Sequence, residues 1–249
     1  MINQIKGVIS ASRFQSVFKL GSSVVGTLFH AIRPHTHKIK NTYNDVTIER
    51  YYLIDKLHPY KDLSDRPQYE GTIVEETKRY VSTGDTVVIL GGGIGVTTVH
   101  AAKMTGVRGE VYVYEGAEEM AELHSRTLEL NPVEANIKLT QAIVGKAGKL
   151  WGDPGEYQQI KPDELPEADV YIIDIEGAEA DVVPSLNHDG IMIIETHGKL
   201  GSPTEEMCER LNDKGYCAEV VGVAEPSMQK AHEEGDVKVV VAERNQEAK

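Results

Sequence analysis

Residues 86–95 are TVVILGGGIG, a short apolar stretch followed by four glycines in five positions. The apolar half is typical of a buried strand, and the next residues, VTTVHAAKM, have a helical pattern. Glycine allows positive φ and close approach of a ligand to the backbone. The helix that follows has unpaired N–H groups and the positive end of its dipole at its start. The stretch therefore predicts a ligand-binding loop between a strand and a helix. The alternative interpretation is a tight packing turn.

Strand and helix patterns alternate through the rest of the chain. A strand or hairpin is predicted within 45–57 and a helix over 69–81. Further strands are predicted at 86–90, 111–115, 137–144, 170–175, 191–196, 216–223 and 237–242, and helices at 95–105, 118–130, 178–186 and 203–213. Near-continuous apolar strands that alternate with helices favour a mostly parallel sheet covered on both faces. We expect an α/β fold with a Rossmann-like, doubly wound, seven-stranded sheet and an N-terminal helical and β extension.

The beginning of the last predicted helix has capping signals. Ser202 is placed as the N-cap, Pro203 as the first helical residue and Glu205 as the partner in a capping box. Gly215 follows as a natural end of the helix.

Charge is distributed unevenly along the 249 residues. The net charge is −13, yet residues 1–44 contain six Lys or Arg and no acidic residue, so all 39 Asp and Glu lie in 45–249. A body this acidic repels the phosphate backbone, which excludes nucleic acid as an expected partner. The two cysteines, Cys208 and Cys217, are too few for a disulfide framework and indicate reduced thiols in a cytoplasmic protein.

The basic N-terminal segment predicts an amphipathic helix from about 8 to 32, followed by a linker to residue 44. Its apolar stretch is too short and too polar to span a bilayer, and no signal-peptide cleavage site follows. Two interpretations stay open. The helix packs on the protein body or on a second subunit of a homo-oligomer, or it lies on anionic lipid at the cytoplasmic face of a membrane. Residues 45–249 form the predicted main domain.

The cofactor pattern at the glycines departs from the dinucleotide fingerprint. G-x-G-x-x-G needs glycine at position 96, where Val96 stands, and the pattern is instead G-x-G-x-G through Gly91, Gly93 and Gly95. Glu115 ends the second predicted strand, where its carboxylate can accept both hydroxyls of a ribose. Nucleotide and adenosyl cofactors both use such an acid.

Residues 174–179 are DIEGAE, similar to the D-x-E-G-A-E signature of the FkbM family of class I S-adenosylmethionine-dependent methyltransferases. The stretch IIETH at 193–197 resembles that family's next strand. The resemblance covers about residues 69–243 and implies S-adenosylmethionine as the cofactor. It implies that Gly91, Gly93 and Gly95 hold the methionine part of the cofactor and that Glu115 binds the ribose. It also implies that Gln141 and Ala142, after the third strand, lie along the adenine, and that Asp174 lies beside the sulfonium at the mouth of the substrate pocket. Ile89 stands where the family often has Asp.

Methyl transfer depends largely on alignment, and a hydroxyl acceptor benefits from a base. Asp174, Glu195 and His197 lie at adjacent predicted strand ends and are the candidate catalytic residues; an ordinary histidine pKa suits the role. Together with Glu176, the same carboxylates offer oxygen ligands for magnesium or calcium. The resemblance implies no metal, and we expect none.

We therefore expect an S-adenosylmethionine-dependent methyltransferase, and the resemblance to the FkbM family implies O-methylation of a hydroxyl on a sugar, a glycan or another oxygen-rich metabolite. If the N-terminal helix binds a membrane, we expect the substrate to be a lipid-linked glycan. Two alternatives stay open. One is a nicotinamide-dependent oxidoreductase, against which Val96 argues. The other is a non-catalytic Rossmann-like binding or scaffold protein, which stays open because Ile89 and Gly93 depart from the family pattern, where Asp and Asn are common.

Overall fold

The computed structural model describes residues 38–51, 65–146, 153–186 and 189–245. Residues 40–50 and 64–249 form one compact unit, and the architecture below is that of this unit. The helix predicted over 8–32, with its proposed contacts, lies outside the described residues. Within the described ranges, every helix is too short or too polar to cross a membrane.

An eight-stranded sheet forms the centre of the unit. Its strands, numbered along the chain, are β3 (Thr86–Leu90), β4 (Glu110–Glu115), β5 (Asn136–Val144), β6 (Gln158–Ile160), β7 (Val170–Ile173), β8 (Ile191–His197), β9 (Tyr216–Gly222) and β10 (Val237–Arg244). Their order across the sheet is β6-β5-β4-β3-β7-β8-β10-β9. The six strands from β6 to β8 are parallel, and β10 is antiparallel to both of its neighbours.

This topology confirms the predicted α/β, doubly wound fold. All seven predicted strands are present, and an eighth, β6, pairs with the outer edge of β5. That strand has only three residues, two of them exposed, so its sequence carries too little apolar pattern to be recognised. Strand order reverses between β3 and β7, and a crevice for a ligand is expected at the carboxyl ends of those two strands.

Helices cover the sheet. In the described residues they are α1 (Gly71–Tyr80), α2 (Val96–Thr105), α3 (Glu118–Leu130), α4 (Glu179–Val182), α5 (Thr204–Asp213) and α6 (Gln229–Gly235). The helix predicted over 178–186 is α4 followed by a 3-10 turn, Val183–Ser185, because Pro184 interrupts the α-helical hydrogen bonds. The other predicted helices agree with the structure to within about two residues.

The alternation of side chains along β3 divides the core between two faces. Val88 and Leu90 belong to one buried cluster, and Val87 and Ile89 belong to the other. All four are at most 2% exposed. A strand buried on both faces must be apolar at every position, which explains why the sequence there lacks the polar alternation of a surface strand.

A small hairpin precedes the main sheet. Strands β1 (Lys38–Tyr43) and β2 (Val46–Tyr51) are joined at Asn44 and Asp45, which both have left-handed φ values, 44° and 62°. Such a pair is typical of a two-residue hairpin turn. The predicted boundary between 44 and 45 falls in this turn, and side chains on both sides of it pack in one cluster with α1 and α2.

The predicted cap of α5 is wrong. Pro203 is the N-cap, the side chain makes no cap hydrogen bond, and buried Ser202 Oγ has no partner among the described residues. Instead Asp236, far along the chain, accepts hydrogen bonds from Thr204 N (3.0 Å) and Thr204 Oγ1 (2.8 Å). A tertiary contact has replaced the local capping box.

We expect Asp236→Ala to lower the free energy of unfolding by about 1–2 kcal/mol, because the first turn of α5 loses its acceptor. Ser202→Ala should change it by less than about 0.5 kcal/mol, since that hydroxyl has no partner to lose. Urea unfolding of the two variants measures the difference. A larger loss of stability in Ser202→Ala than in Asp236→Ala would show that Ser202 caps the helix after all.

Candidate functional site

The glycine loop connects β3 to α2 at the carboxyl edge of the sheet. Gly91 has φ 79°, and a Cβ atom there would lie 1.7 Å from the carbonyl oxygen of Asp174. Its N–H donates to Tyr114 O on β4 (2.9 Å). Only glycine can occupy this position, because the backbone of the β7 end fills the space of a side chain. The loop is therefore seated between the ends of β4 and β7.

A buried histidine on α3 packs against the glycine loop. His124 on α3 is fully buried, and Cβ atoms at Gly92 or Gly95 would each lie 2.9 Å from its ring. The imidazole occupies the volume that the glycines leave open. Burial lowers the pKa of His124 to about 4, so the ring is neutral at physiological pH. The sequence does not indicate this role, because a histidine on a helix has no distinctive pattern.

Glu115 connects the loop to the end of β4. Its Oε2 accepts from Gly93 N (2.7 Å), and its Oε1 accepts from Ala117 N (2.8 Å). The residue is 7% exposed, and burial raises the pKa of its carboxyl despite these backbone hydrogen bonds. Each carboxylate oxygen retains a lone pair for a further donor. Glu115 therefore holds the loop in place and can also accept a ligand hydroxyl.

Gln141 and Ala142 lie beside Glu115 but inside a strand. In the parallel register of β4 and β5, Gln141 is the partner of Glu115. Its Nε2 donates to Pro154 O (2.7 Å), and Ala142 is almost completely buried. The strand continues to Val144, so these two residues lie inside β5 and not in a loop after it.

Glu70 is a second acid at the loop, and sequence analysis did not identify it. Ile89, where the family often has Asp, is buried in the core. Glu70 precedes α1 with a left-handed φ of 50°, and its Oε2 accepts from Thr97 Oγ1 in the first turn of α2 (2.5 Å). Its Oε1 would lie 4.0 Å from a Cβ at Gly93. The only sequence signal was an acid before a helix, which is also typical of a cap.

A cluster of acids surrounds His197 at the end of β8. We call Asp174, Glu195 and His197 the β7–β8 cluster. His197 Nε2 lies 3.6 Å from Asp174 Oδ1, 3.6 Å from Glu195 Oε1 and 3.8 Å from Glu176 Oε2. On the other side of the ring, Nδ1 lies 3.0 Å from Oε1 of Glu179. The structure thus brings all three candidate catalytic residues together next to the glycine loop.

Burial and mutual repulsion determine how the β7–β8 cluster ionises. Burial raises the pKa values of Asp174 and Glu195 well above their ordinary range, and neighbouring carboxylates raise them further. Burial alone lowers the pKa of His197, but the hydrogen bond that Nδ1 donates to Glu179 and the surrounding negative charges raise it to about 9. In this state the imidazole is protonated at neutral pH and cannot accept a proton. Asp174 and Glu195 are then the better-placed bases.

The backbone after β7 is shaped to present these acids. Glu176 and Gly177 both have positive φ, 53° and 97°, and Glu179 Oε1 accepts from Ile175 N (2.9 Å). This tight turn directs residues 174–176 toward β8. A cleft of about 250 Å³ next to it is lined in part by Glu195, His197 and Lys199, which gives a small polar group access to the cluster.

No family model and no curated protein matches the sequence. Among solved structures, Trm5 of Methanocaldococcus jannaschii in complex with adenosine matches with a TM-score of 0.52 and 15% identity over 86% of this chain and 58% of that chain. Precorrin-6y C5,15-methyltransferase of Geobacter metallireducens GS-15 matches with a TM-score of 0.50 and 15% identity over 76% of this chain and 96% of that chain. The protein therefore has the Rossmann-like fold of class I methyltransferases. At these identities the likeness concerns the fold alone.

The support of the loop by His124 predicts a pH dependence of stability. The ordinary pKa is 6.5 and the folded value is about 4. Between these values the unfolded chain binds a proton that the folded chain does not, so stability decreases as pH falls through this window. Urea unfolding should show wild type losing about 2–3 kcal/mol more than His124→Leu between about pH 7.5 and 4.5. Parallel pH curves for the two proteins would contradict the assignment.

Proposed function

We propose that this protein is an S-adenosylmethionine-dependent methyltransferase that methylates a hydroxyl group. The observation that carries the proposal is the attachment of Glu115 to the glycine loop, at the carboxyl edge of a methyltransferase-type sheet. The glycine loop and Glu115 lie at the carboxyl ends of the strands, next to the crevice where proteins of this fold class bind their ligands.

The residues present fit the cofactor. Gly93 leaves open space beside the loop backbone, and the remaining lone pairs of Glu115 suit the two ribose hydroxyls. Gln141 and Ala142 form the adjoining wall for the adenine. The adenosine in the Trm5 structure supports an adenosine moiety on this fold. Glu70 provides the carboxylate for the cofactor's ammonium group that Ile89 cannot provide.

When bound, S-adenosylmethionine supplies a methyl group on a positively charged sulfur. The protein's own part is to orient the acceptor and to remove its proton. Asp174 and Glu195 are next to the loop, and their raised pKa values make them suitable proton acceptors. His197, held by Glu179, keeps these carboxylates from repelling one another.

Three features support a hydroxyl acceptor on a sugar, a glycan or a similar metabolite. The segment 174–179 resembles the D-x-E-G-A-E signature, carboxylates accept hydrogen bonds from hydroxyls, and the acidic main domain disfavours nucleic acid. The acceptor meets the protein in the cytoplasm, and residues 8–32 are the proposed contact with a membrane or a second subunit.

Calorimetric titration with S-adenosylhomocysteine tests the cofactor. We expect binding, weakened at least about tenfold by Glu115→Gln and by Glu70→Gln, because each loses a charge-assisted hydrogen bond. A second ligand, 5′-methylthioadenosine, distinguishes the roles of the two acids, because it keeps the ribose and lacks the amino-acid end. Glu115→Gln should weaken the binding of this ligand, and Glu70→Gln should not.

The chain offers matched controls for this experiment. Glu110 begins the strand that Glu115 ends, and Glu75 lies exposed on the helix that Glu70 precedes. Glu110→Gln and Glu75→Gln should bind like wild type. Binding of NAD without S-adenosylhomocysteine would assign the protein to the oxidoreductases. Binding of neither would leave a scaffold protein.

Transfer of labelled methyl from S-adenosylmethionine to a panel of sugars and glycans tests the acceptor. The label is expected in an ether linkage to oxygen. Asp174→Asn should slow transfer about 100-fold, the usual contribution of a general base, while S-adenosylhomocysteine affinity changes little. Asp181→Asn, at an exposed carboxylate on α4, is the control. Label on nitrogen or carbon would refute the hydroxyl acceptor.

A further inference from the structure

The β7–β8 cluster has the geometry of a cation site. One ligand atom each from Asp174, Glu195 and His197 lie within 4.8 Å of one another. Glu195 and His197 lie in β8 and Asp174 directly follows β7, so the parallel pairing of β7 with β8 brings the three side chains together.

The distances around His197 Nε2 are too long for hydrogen bonds. Asp174 Oδ1 and Glu195 Oε1 each lie 3.6 Å from this nitrogen, whereas N–H···O bonds are about 2.7–3.2 Å long. Ligand atoms that each lie about 2.0–2.2 Å from a shared ion are separated by roughly 3.0–3.5 Å. A small contraction of the cluster would therefore place an ion in contact with all three side chains.

Unpartnered carboxylate oxygens point into the same space. The Glu195 side chain is nine-tenths buried, with 10% exposed, and its ion-pair contact with His197 Nε2 is 3.6 Å long, beyond hydrogen-bonding distance. Asp174 Oδ1 is buried and has no hydrogen-bond partner among the described residues. Buried carboxylates without partners are costly, and a bound cation removes that cost.

A further acid holds the imidazole in the orientation that a ligand requires. Glu179 is completely buried, and its Oε1 accepts from Ile175 N and lies 3.0 Å from His197 Nδ1. This contact directs Nε2 toward Asp174 and Glu195. A carboxylate behind a ligating histidine is the usual second layer of metal sites in proteins.

We propose that Asp174, Glu195 and His197 bind one divalent cation of the Mn²⁺ or Zn²⁺ type next to the glycine loop, and that the ion displaces the proton that His197 Nε2 carries in the metal-free protein. The imidazole favours these ions over Ca²⁺, which takes six to eight oxygen ligands. The remaining coordination positions face the cleft lined by Lys199 and Leu200. Binding of the ion is independent of the proposed methyl transfer; only its role, to hold the acceptor oxygen, rests on that function.

Mn²⁺ titration of EDTA-treated full-length protein, followed by the electron paramagnetic resonance signal of free Mn²⁺, tests the site. We expect one ion per chain. Glu195→Gln and His197→Gln should each weaken binding at least about tenfold, and Glu179→Gln should weaken it by about tenfold through the ring orientation. Glu219→Gln, at an exposed acid on β9, should bind Mn²⁺ like wild type.

The controls separate the cation site from misfolding and from the proposed function. Circular dichroism and urea unfolding establish that each variant is folded, and S-adenosylhomocysteine titration of the same samples tests the proposed function separately. Wild-type protein that binds neither Mn²⁺ nor Zn²⁺ would overturn the proposal, as would equal binding by wild type, Glu195→Gln and His197→Gln. Mn²⁺ binding without S-adenosylhomocysteine binding would refute the methyltransferase proposal and leave the cation site intact.

Discussion

The contact between the glycine loop and the end of β7 is the constraint on which the site depends. Asp174 N donates to Leu90 O (2.9 Å), and the carbonyl oxygen of Asp174 occupies the place of a side chain at Gly91. This contact continues the parallel pairing of β3 and β7 past the last strand residue. The backbone that forms the predicted cofactor cradle is therefore the same backbone that positions the Asp174 carboxylate. The proposed cofactor site and the proposed acceptor site are adjacent because the neighbouring strands β3 and β7 end at the same edge of the sheet.

The second constraint is electrostatic. Asp174, Glu195 and Glu179 surround one imidazole, and the burial that raises the carboxyl pKa values also prevents water from screening their repulsion. A core built only for stability would not collect these acids, since each needs a proton, a histidine or a cation to neutralise it. The free-energy cost of burying these carboxylates together indicates a functional site. The strained backbone at Glu176 adds to the same argument, because left-handed φ at a residue other than glycine is costly.

Local patterns were sufficient for the sheet and for the residues at its carboxyl edge. Gly91, Glu115, Asp174 and His197 were identified because each directly follows or ends an apolar strand, and parallel strands bring such positions to one edge. The same reasoning failed where partners come from distant segments. Glu70 reaches the loop through Thr97, and Asp236 caps α5 in place of Ser202. Neither contact leaves a periodic signal, since a side chain that bonds across the fold can stand at any sequence spacing.

The sequence by itself determined the class of the fold, because runs of apolar residues at strand and helix spacing have few ways to be buried. It also determined which residues line the edge of the sheet. Only the tertiary structure decided the chemical state of those residues. His197, predicted from its ordinary pKa to be a base, is held protonated by Glu179 on α4 and by Asp174 and Glu176 in the turn after β7. The ionisation of a side chain depends on its burial and on its distances to other charged groups, and the local sequence determines neither of these.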